Sequence, residues 1–268
     1  MILFDMISYS VPLMLASIGA LFSEYAGVLA LFLDGLISLS AFFTYAFTLG
    51  TGNAFLGVMI SSILSVLITM GFSLLIEKFR ANQFIAAIAL NLLFSALPSC
   101  FSFLLFGTRG VLASDSFVFN PQNVKLLALL TALILITAAL IFLAKSRPGL
   151  YIRITGSDSL VLEQNGVDPR YMRIFSWGLA AFYASFAGSF LAMRISSFVP
   201  NISSGRGWMA LAAVFLGKKK PLRIVAAVLI FCCADFFSAY LQNILPDMPS
   251  SFFISFPYLI ILILVLFN

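Results

Sequence analysis

The stretch LLALLTALILITAALIFLA, Leu126 to Ala144, holds no polar side chain beyond two threonines. At about 1.5 Å rise per residue a helix of this length spans most of the ~30 Å hydrocarbon core of a bilayer, whereas a membrane barrel strand alternates polar and apolar residues in blocks of about 10. The stretch therefore reads as a membrane-spanning helix. The rest of the 268-residue chain agrees, with 62% hydrophobic and 9% charged residues and a mean hydropathy of +1.11. Soluble domains carry about 25% charged residues, so this chain cannot build a water-facing surface.

Comparable apolar runs lie at 28–49, 54–76, 84–106, 174–193 and 224–241. Weaker ones lie at 7–23 and 252–267, and the run 207–217 is only 11 residues long. That last run is too short to cross a bilayer. It reads as a broken or re-entrant element, which must lie inside protein so that its free backbone groups find partners. The expected fold is an all-α polytopic transmembrane bundle of about 8–9 membrane segments with a broken element near 205–217. We expect residues 1–268 to form a single integral membrane domain. Met1 to Met6 carries Asp5 but no Lys or Arg, and no small-residue cleavage site follows, so the first run is expected to stay as an uncleaved span.

Eleven of the 15 basic residues fall in three loops, 77–83, 145–173 and 218–223. These loops should face the cytoplasm, while 50–53, 107–123 and 244–251, poor in positive charge, should face outward. Counting the short run as a pass puts the N-terminus outside and the C-terminus inside, and a hairpin there or in the first segment would reverse the N-terminal side. The net charge of +5 is then a matter of orientation toward anionic lipid heads. Nucleic-acid binding is not indicated, because the basic residues are divided among separate loops without an aromatic platform.

Composition also limits the chemistry. The chain has no His, which excludes Ser-His and Cys-His catalysis, HExxH zinc sites and imidazole metal ligation. The single Gly-Lys step, Gly217-Lys218, lacks the spacing and hydroxyl of a phosphate-binding GxxxxGK[ST] loop. If ATP drives this protein, another chain hydrolyses it, and no cofactor or metal is expected here. Cys100, Cys232 and Cys233 lie in apolar runs and read as packing residues.

Charged groups inside apolar spans are costly and face partners or cavities. Asp34 and Asp235 are the most deeply placed carboxylates; they read either as lining a polar path, with Asp34-Gly35 marking a discontinuous helix, or as accepting hydrogen bonds from backbone groups at helix breaks or sitting protonated in place. Asn91 and Pro98 are expected to interrupt the run 84–106. Gly205-Arg206-Gly207, preceded by Ser203-Ser204, heads the short run and suits a chain turning inside the protein or an anion site at a half-helix. Ala180, Ala184 and Gly188 recur every fourth position and read as a packing face. Asp34, Asn91, Arg206 and Asp235 are the candidates for a translocation path.

The only extended polar segment is Lys145 to Arg173. Pro148-Gly149 reads as a helix stop. Gly156-Ser157-Asp158 reads as a cap for a short helix, Ser159 to Gln164, closed by Asn165-Gly166, and Asp168-Pro169 opens the next span. Leu160, Val161 and Leu162 would be its apolar knobs, fit to dock into a soluble motor domain or to lie on lipid. Gly156, Ser157, Asp158, Leu160, Leu162, Glu163, Gly166 and Asp168 are the candidate coupling residues.

These residues carry a resemblance. Glu24-Tyr25-Ala26-Gly27-Val28 with Asp34-Gly35 resembles the "SERAGVxNIGLEG" segment of permease subunits of bacterial ABC importers for nucleosides and related simple sugars. Arg80-Ala81-Asn82-Gln83 with Ala89-Leu90-Asn91-Leu92 is similar to that family's "RANQ…ALNLL". The segment from Gly205 to Val214, with Leu216-Gly217 and Pro221, is similar to its "GRGfiALAAVilGxxxP". The docking loop keeps the family frame but lacks the Asn-Pro and paired Ala of "GxNPxAARxAGI", and the family glutamate of "GLEG" is Asp34.

The resemblance implies a non-enzymatic permease in the bacterial inner membrane. It also implies a cytoplasmic ATP-binding subunit, a second and longer permease, and an extracytoplasmic substrate-binding lipoprotein. An ion-coupled secondary transporter or a membrane scaffold would be the alternatives. The former should show an internal repeat, and none is visible.

Overall fold

The computed structural model describes residues 2–244 and 250–266. Helices form where apolar runs are bracketed by capping residues. The spans are α1 (Ile2–Tyr25), α2 (Leu33–Thr51), α3 (Ala54–Lys78), α4 (Gln83–Phe106) and α5 (Pro121–Lys145). Two shorter helices, α6 (Arg147–Ser157) and α7 (Ser159–Gln164), precede α8 (Pro169–Ile195), α9 (Arg206–Leu216), α10 (Pro221–Ile244) and α11 (Ser250–Leu266). Asn53, Asn82 and Asn120 each accept a hydrogen bond from an N–H in the first turn that follows, while Gly52 and Gly107 end helices in the left-handed conformation. Proline opens α5, α8 and α10, where its missing N–H leaves no bond unmade.

Seven of the described helices are long and apolar enough to cross a membrane, and two shorter apolar helices, Arg206–Leu216 and Ser255–Leu264, accompany them. The expected 8–9 segments thus resolve into seven full spans and two short ones. Three boundaries differ from expectation. The run 28–49 becomes a helix only at Leu33, because residues 26–32 form a turn at Gly27 (φ 75) and an irregular link. Asn91 and Pro98 do not interrupt α4, which is continuous across both. α5 does end just ahead of Pro148-Gly149, at Lys145, but an unforeseen helix, α6, starts at once at Arg147. Ser146 caps α6 by accepting the Gly149 N–H at 3.0 Å, so proline occupies a first-turn position, where it favours initiation. The connection expected at 244–251 lies mostly outside the described residues.

α1, α2 and α8 form the buried centre, and α3, α4, α5 and α10 surround them with largely exposed apolar faces. Small residues permit this. A Cβ on Gly19 would lie 2.9 Å from the Ala180 carbonyl, and one on Gly188 would strike the backbone of α2. The stripe through Ala180, Ala184 and Gly188 is therefore a packing face. Phe32 meets Trp177 edge-on at 4.8 Å, and Phe22 stacks on Tyr183 at 5.6 Å. Hydroxyls add bridges, Thr44 and Ser189 joining α2 to α8 at 2.7 Å and Ser61 of α3 donating to the Ser40 carbonyl of α2 at 2.8 Å.

The two ends of the bundle differ. At one end the basic loops converge, where Lys219 pairs with Glu24 at 3.0 Å and the Tyr25 hydroxyl donates to the Lys219 carbonyl at 2.6 Å. At the other, β1 (Leu112–Ala113) pairs antiparallel with β2 (Ser197–Phe198), placing Leu112 opposite Phe198. Phe198 and Phe117 are buried against Phe42 and Tyr45 of α2 and close this end. Asp5 and Lys125 pair at 2.6 Å between the starts of α1 and α5.

Candidate functional site

Two helices begin deep in the bundle. Asn201, Ser204 and Gly205 all take positive φ, so the chain after β2 coils tightly and launches α9 from the interior, not from an end. Gly205 supplies no side-chain cap. The Gly207 N–H instead donates to the Asp34 carboxylate at 3.0 Å. Asp34 lies in the first turn of α2, whose own Gly35 N–H donates to the Asn91 side-chain oxygen of α4 at 2.7 Å. Ser38 and Ser203 are joined at 2.9 Å beside them. A Cβ at Gly35 would collide with the Asn91 carbonyl, and one at Gly207 with the Asp34 backbone. The structure therefore places Asp34 and Asn91 as acceptors at the starts of α9 and α2, and the positive end of α9 already holds the chain's own carboxylate.

Arg206 points elsewhere. Its guanidinium donates to the Tyr9 hydroxyl at 2.9 Å and to the Ser203 carbonyl at 3.2 Å, and it lies 5.5 Å from the centre of the Tyr9 ring. Arg194 approaches the same ring at 4.9 Å. Arg206 and Asp235 line one cleft of about 300 Å³, together with Tyr9, Ser204, Gln242 and Tyr258. The Tyr258 hydroxyl donates to the Ser204 carbonyl at 3.1 Å. The cleft offers a cation, a carboxylate, an amide and two phenol rings between α1, α9, α10 and α11. Such groups can hold a polar solute with a planar face.

Of the four path candidates, the structure brings Arg206 and Asp235 into this cleft and puts Asp34 and Asn91 behind it. Sequence reasoning missed Tyr9 and Tyr258, and named Ser204 only as part of the turn ahead of α9. Tyr9 is flanked by Ser8 and Ser10 in an otherwise apolar run, a cue that was available. Tyr258 sits in a run with no such mark.

At the basic end, Asp158 ends α6 and caps α7 by accepting the Leu160 N–H at 3.0 Å. Gly166 follows α7 at φ 77, and Asp168 accepts the Arg170 N–H at 2.8 Å to start α8. Leu160 is 65% exposed, and Val161 is exposed too, but Leu162 is only 2% exposed. The expectation that all three are outward knobs is thus corrected: α7 is amphipathic and Leu162 faces inward. Ser157, Glu163 and Gly166 remain on the exposed side. Gly156 abuts the backbone of Tyr25 and Gly27 so closely that it has no room for a Cβ.

Residues 2–267 match the family described as "Branched-chain amino acid transport system / permease component". The putative glucose ABC transporter permease protein TsgC13 of Haloferax volcanii is 28% identical over 83% of this chain and 72% of its own length. The guanosine ABC transporter permease protein NupQ of Bacillus subtilis is 25% identical, covering 94% and 86%. The nucleoside ABC transporter permease protein NupC of Lactococcus lactis subsp. cremoris is 26% identical, covering 98% and 90%. Among solved structures, PsaBC from Streptococcus pneumoniae in complex with Fab has a similar fold, with a TM-score of 0.54 at 14% identity over 97% of this chain and 88% of that one. Together with the seven apolar spans, the match over nearly the whole chain places this protein in that permease family, as a multi-pass ABC transporter permease of the cytoplasmic membrane and not an enzyme.

Proposed function

We propose that this chain carries a nucleoside inward, as one of two permease subunits of an ABC importer. A second, longer permease, a pair of cytoplasmic ATP-binding subunits and an extracytoplasmic binding lipoprotein would complete it. Residues 145–173 would be the coupling loop, and Arg206 and Asp235 would line the path, with Asp34 and Asn91 holding the half-helices that shape it. The observation that carries the reading is the exposed Leu160 and Val161 pair on α7 at the basic end, an apolar surface on an otherwise polar segment. Two of the three relatives described above are named for nucleoside or guanosine transport. A simple sugar is the second reading, favoured by the 28% identity to the putative glucose permease.

The test is to express the chain with its genomic neighbours and measure uptake of labelled guanosine, uridine and glucose. Nucleoside uptake that stops when the ATPase subunit is inactivated is expected. Preference for glucose would move the reading to sugars, and uptake by this chain alone on an ion gradient would sink it.

A further inference from the structure

A second cavity, of about 560 Å³, opens at the basic end, apart from the cleft of Arg206 and Asp235, and borders the end of the proposed coupling loop through Arg170 and Arg173. Arg80 from the α3–α4 turn and Arg170 and Arg173 from the first turns of α8 line it, against one carboxylate, Glu77. That carboxylate is already engaged. The Gln83 amide donates to it, and Arg173 lies 3.9 Å away. The Nε of Arg173 is buried without a hydrogen-bond partner. The cavity is therefore positively charged, with three guanidinium groups against one engaged carboxylate.

Arg80 gives a second clue. It ends the α3 turn at φ 52, in the left-handed region that glycine occupies without strain. An arginine there accepts backbone strain while placing a guanidinium at the cavity. Phe84, which lines the cavity, is 54% exposed, and Phe79, next to Arg80 in the chain, is 73% exposed; they flank the turn between α3 and α4, two helices long and apolar enough to cross a membrane. Arginines inside and aromatic rings outside, at the end of the spans, fit a molecule with a phosphate head and hydrocarbon tails.

We propose that this cavity binds the headgroup of an anionic phospholipid from the leaflet next to the basic loops. Arg80, Arg170 and Arg173 surround the phosphate, and the acyl chains lie along Phe79 and Phe84. The site is independent of which solute the transporter carries.

The test uses the assembled transporter in mixed phosphatidylglycerol and phosphatidylcholine nanodiscs, with retained lipid measured by native mass spectrometry. The variant is Arg80→Gly with Arg170→Gln. Neither side chain forms an ion pair among the described residues, and glycine suits φ 52, so the fold is kept. Retained phosphatidylglycerol is expected to fall by about tenfold or more while phosphatidylcholine is unchanged. Four results would overturn the proposal: equal retention in parent and variant, no preference between the two lipids in the parent, displacement of phosphatidylglycerol by millimolar inorganic phosphate, or loss of the ATPase subunit in place of lipid.

Discussion

The Asp34 carboxylate of α2 accepts the Gly207 N–H of α9 at 3.0 Å, joining residues 173 positions apart. This one bond ends the interior start of α9, because Gly205 has no side chain to do so. Removing it leaves a buried N–H unsatisfied, at about 1–3 kcal/mol. Asp34→Ala should therefore lower the unfolding temperature of the detergent-purified protein clearly, and Asp34→Asn, which keeps an acceptor oxygen, should lower it less. If the Asn form is as unstable as the Ala form, the charge of Asp34 and not its capping geometry holds α9.

Backbone contact at the half-helices sets a second expectation. Gly35→Ala would drive a methyl into the Asn91 carbonyl, whereas a Cβ at Gly71 of α3 meets nothing within 4 Å. Overpacking costs about 1–3 kcal/mol, and glycine to alanine in an open helical position stabilises by about 0.4–1 kcal/mol. Thermal unfolding should separate the two substitutions in opposite directions; a stable Gly35→Ala protein would mean that α2 and α4 can part without cost.

The two leucines of α7 should behave differently although they are two residues apart. Leu160→Asp alters an exposed surface, so the protein should insert and purify normally yet lose the ATPase subunit on affinity purification. Leu162→Asp buries a charge and should reduce the yield of folded protein itself. Retention of the ATPase by the Leu160→Asp protein would remove α7 from the coupling interface.

In the cleft, Arg206→Gln removes a cation and its charge-assisted bond to Tyr9, an interaction of about 1.5–3 kcal/mol. Uptake should drop by about tenfold or more, with Tyr9→Phe milder because the ring remains. ATP hydrolysis stimulated by the binding protein should persist in both. Uptake unchanged in Arg206→Gln would take the path elsewhere.

Much of this architecture was legible in the sequence. Runs of apolar residues between Asn, Gly and Pro located the spans, and the shortness of 207–217 announced a helix beginning inside the bundle. The misreadings share a cause. Pro148 marks the end of α5 but also starts α6, which a stop signal alone does not announce, and α4 runs through Pro98 and Asn91 because helix continuity there is settled by neighbouring helices. The partners of Asp34 and Arg206, Gly207 and Tyr9, lie 173 and 197 positions away, so local pattern could rank them as polar residues in apolar spans but could not say what they touch.

Gly156 and Gly27 bring two stretches of main chain into direct contact, with no side chain between them. Side chains yield by changing rotamer, and main chain at van der Waals contact does not. A displacement of the α6 terminus is therefore expected to press directly on the end of α1, as between two gear teeth cut with no backlash. Any substitution that inserted a compliant side chain at either glycine would add slack to that stroke even if every other contact survived.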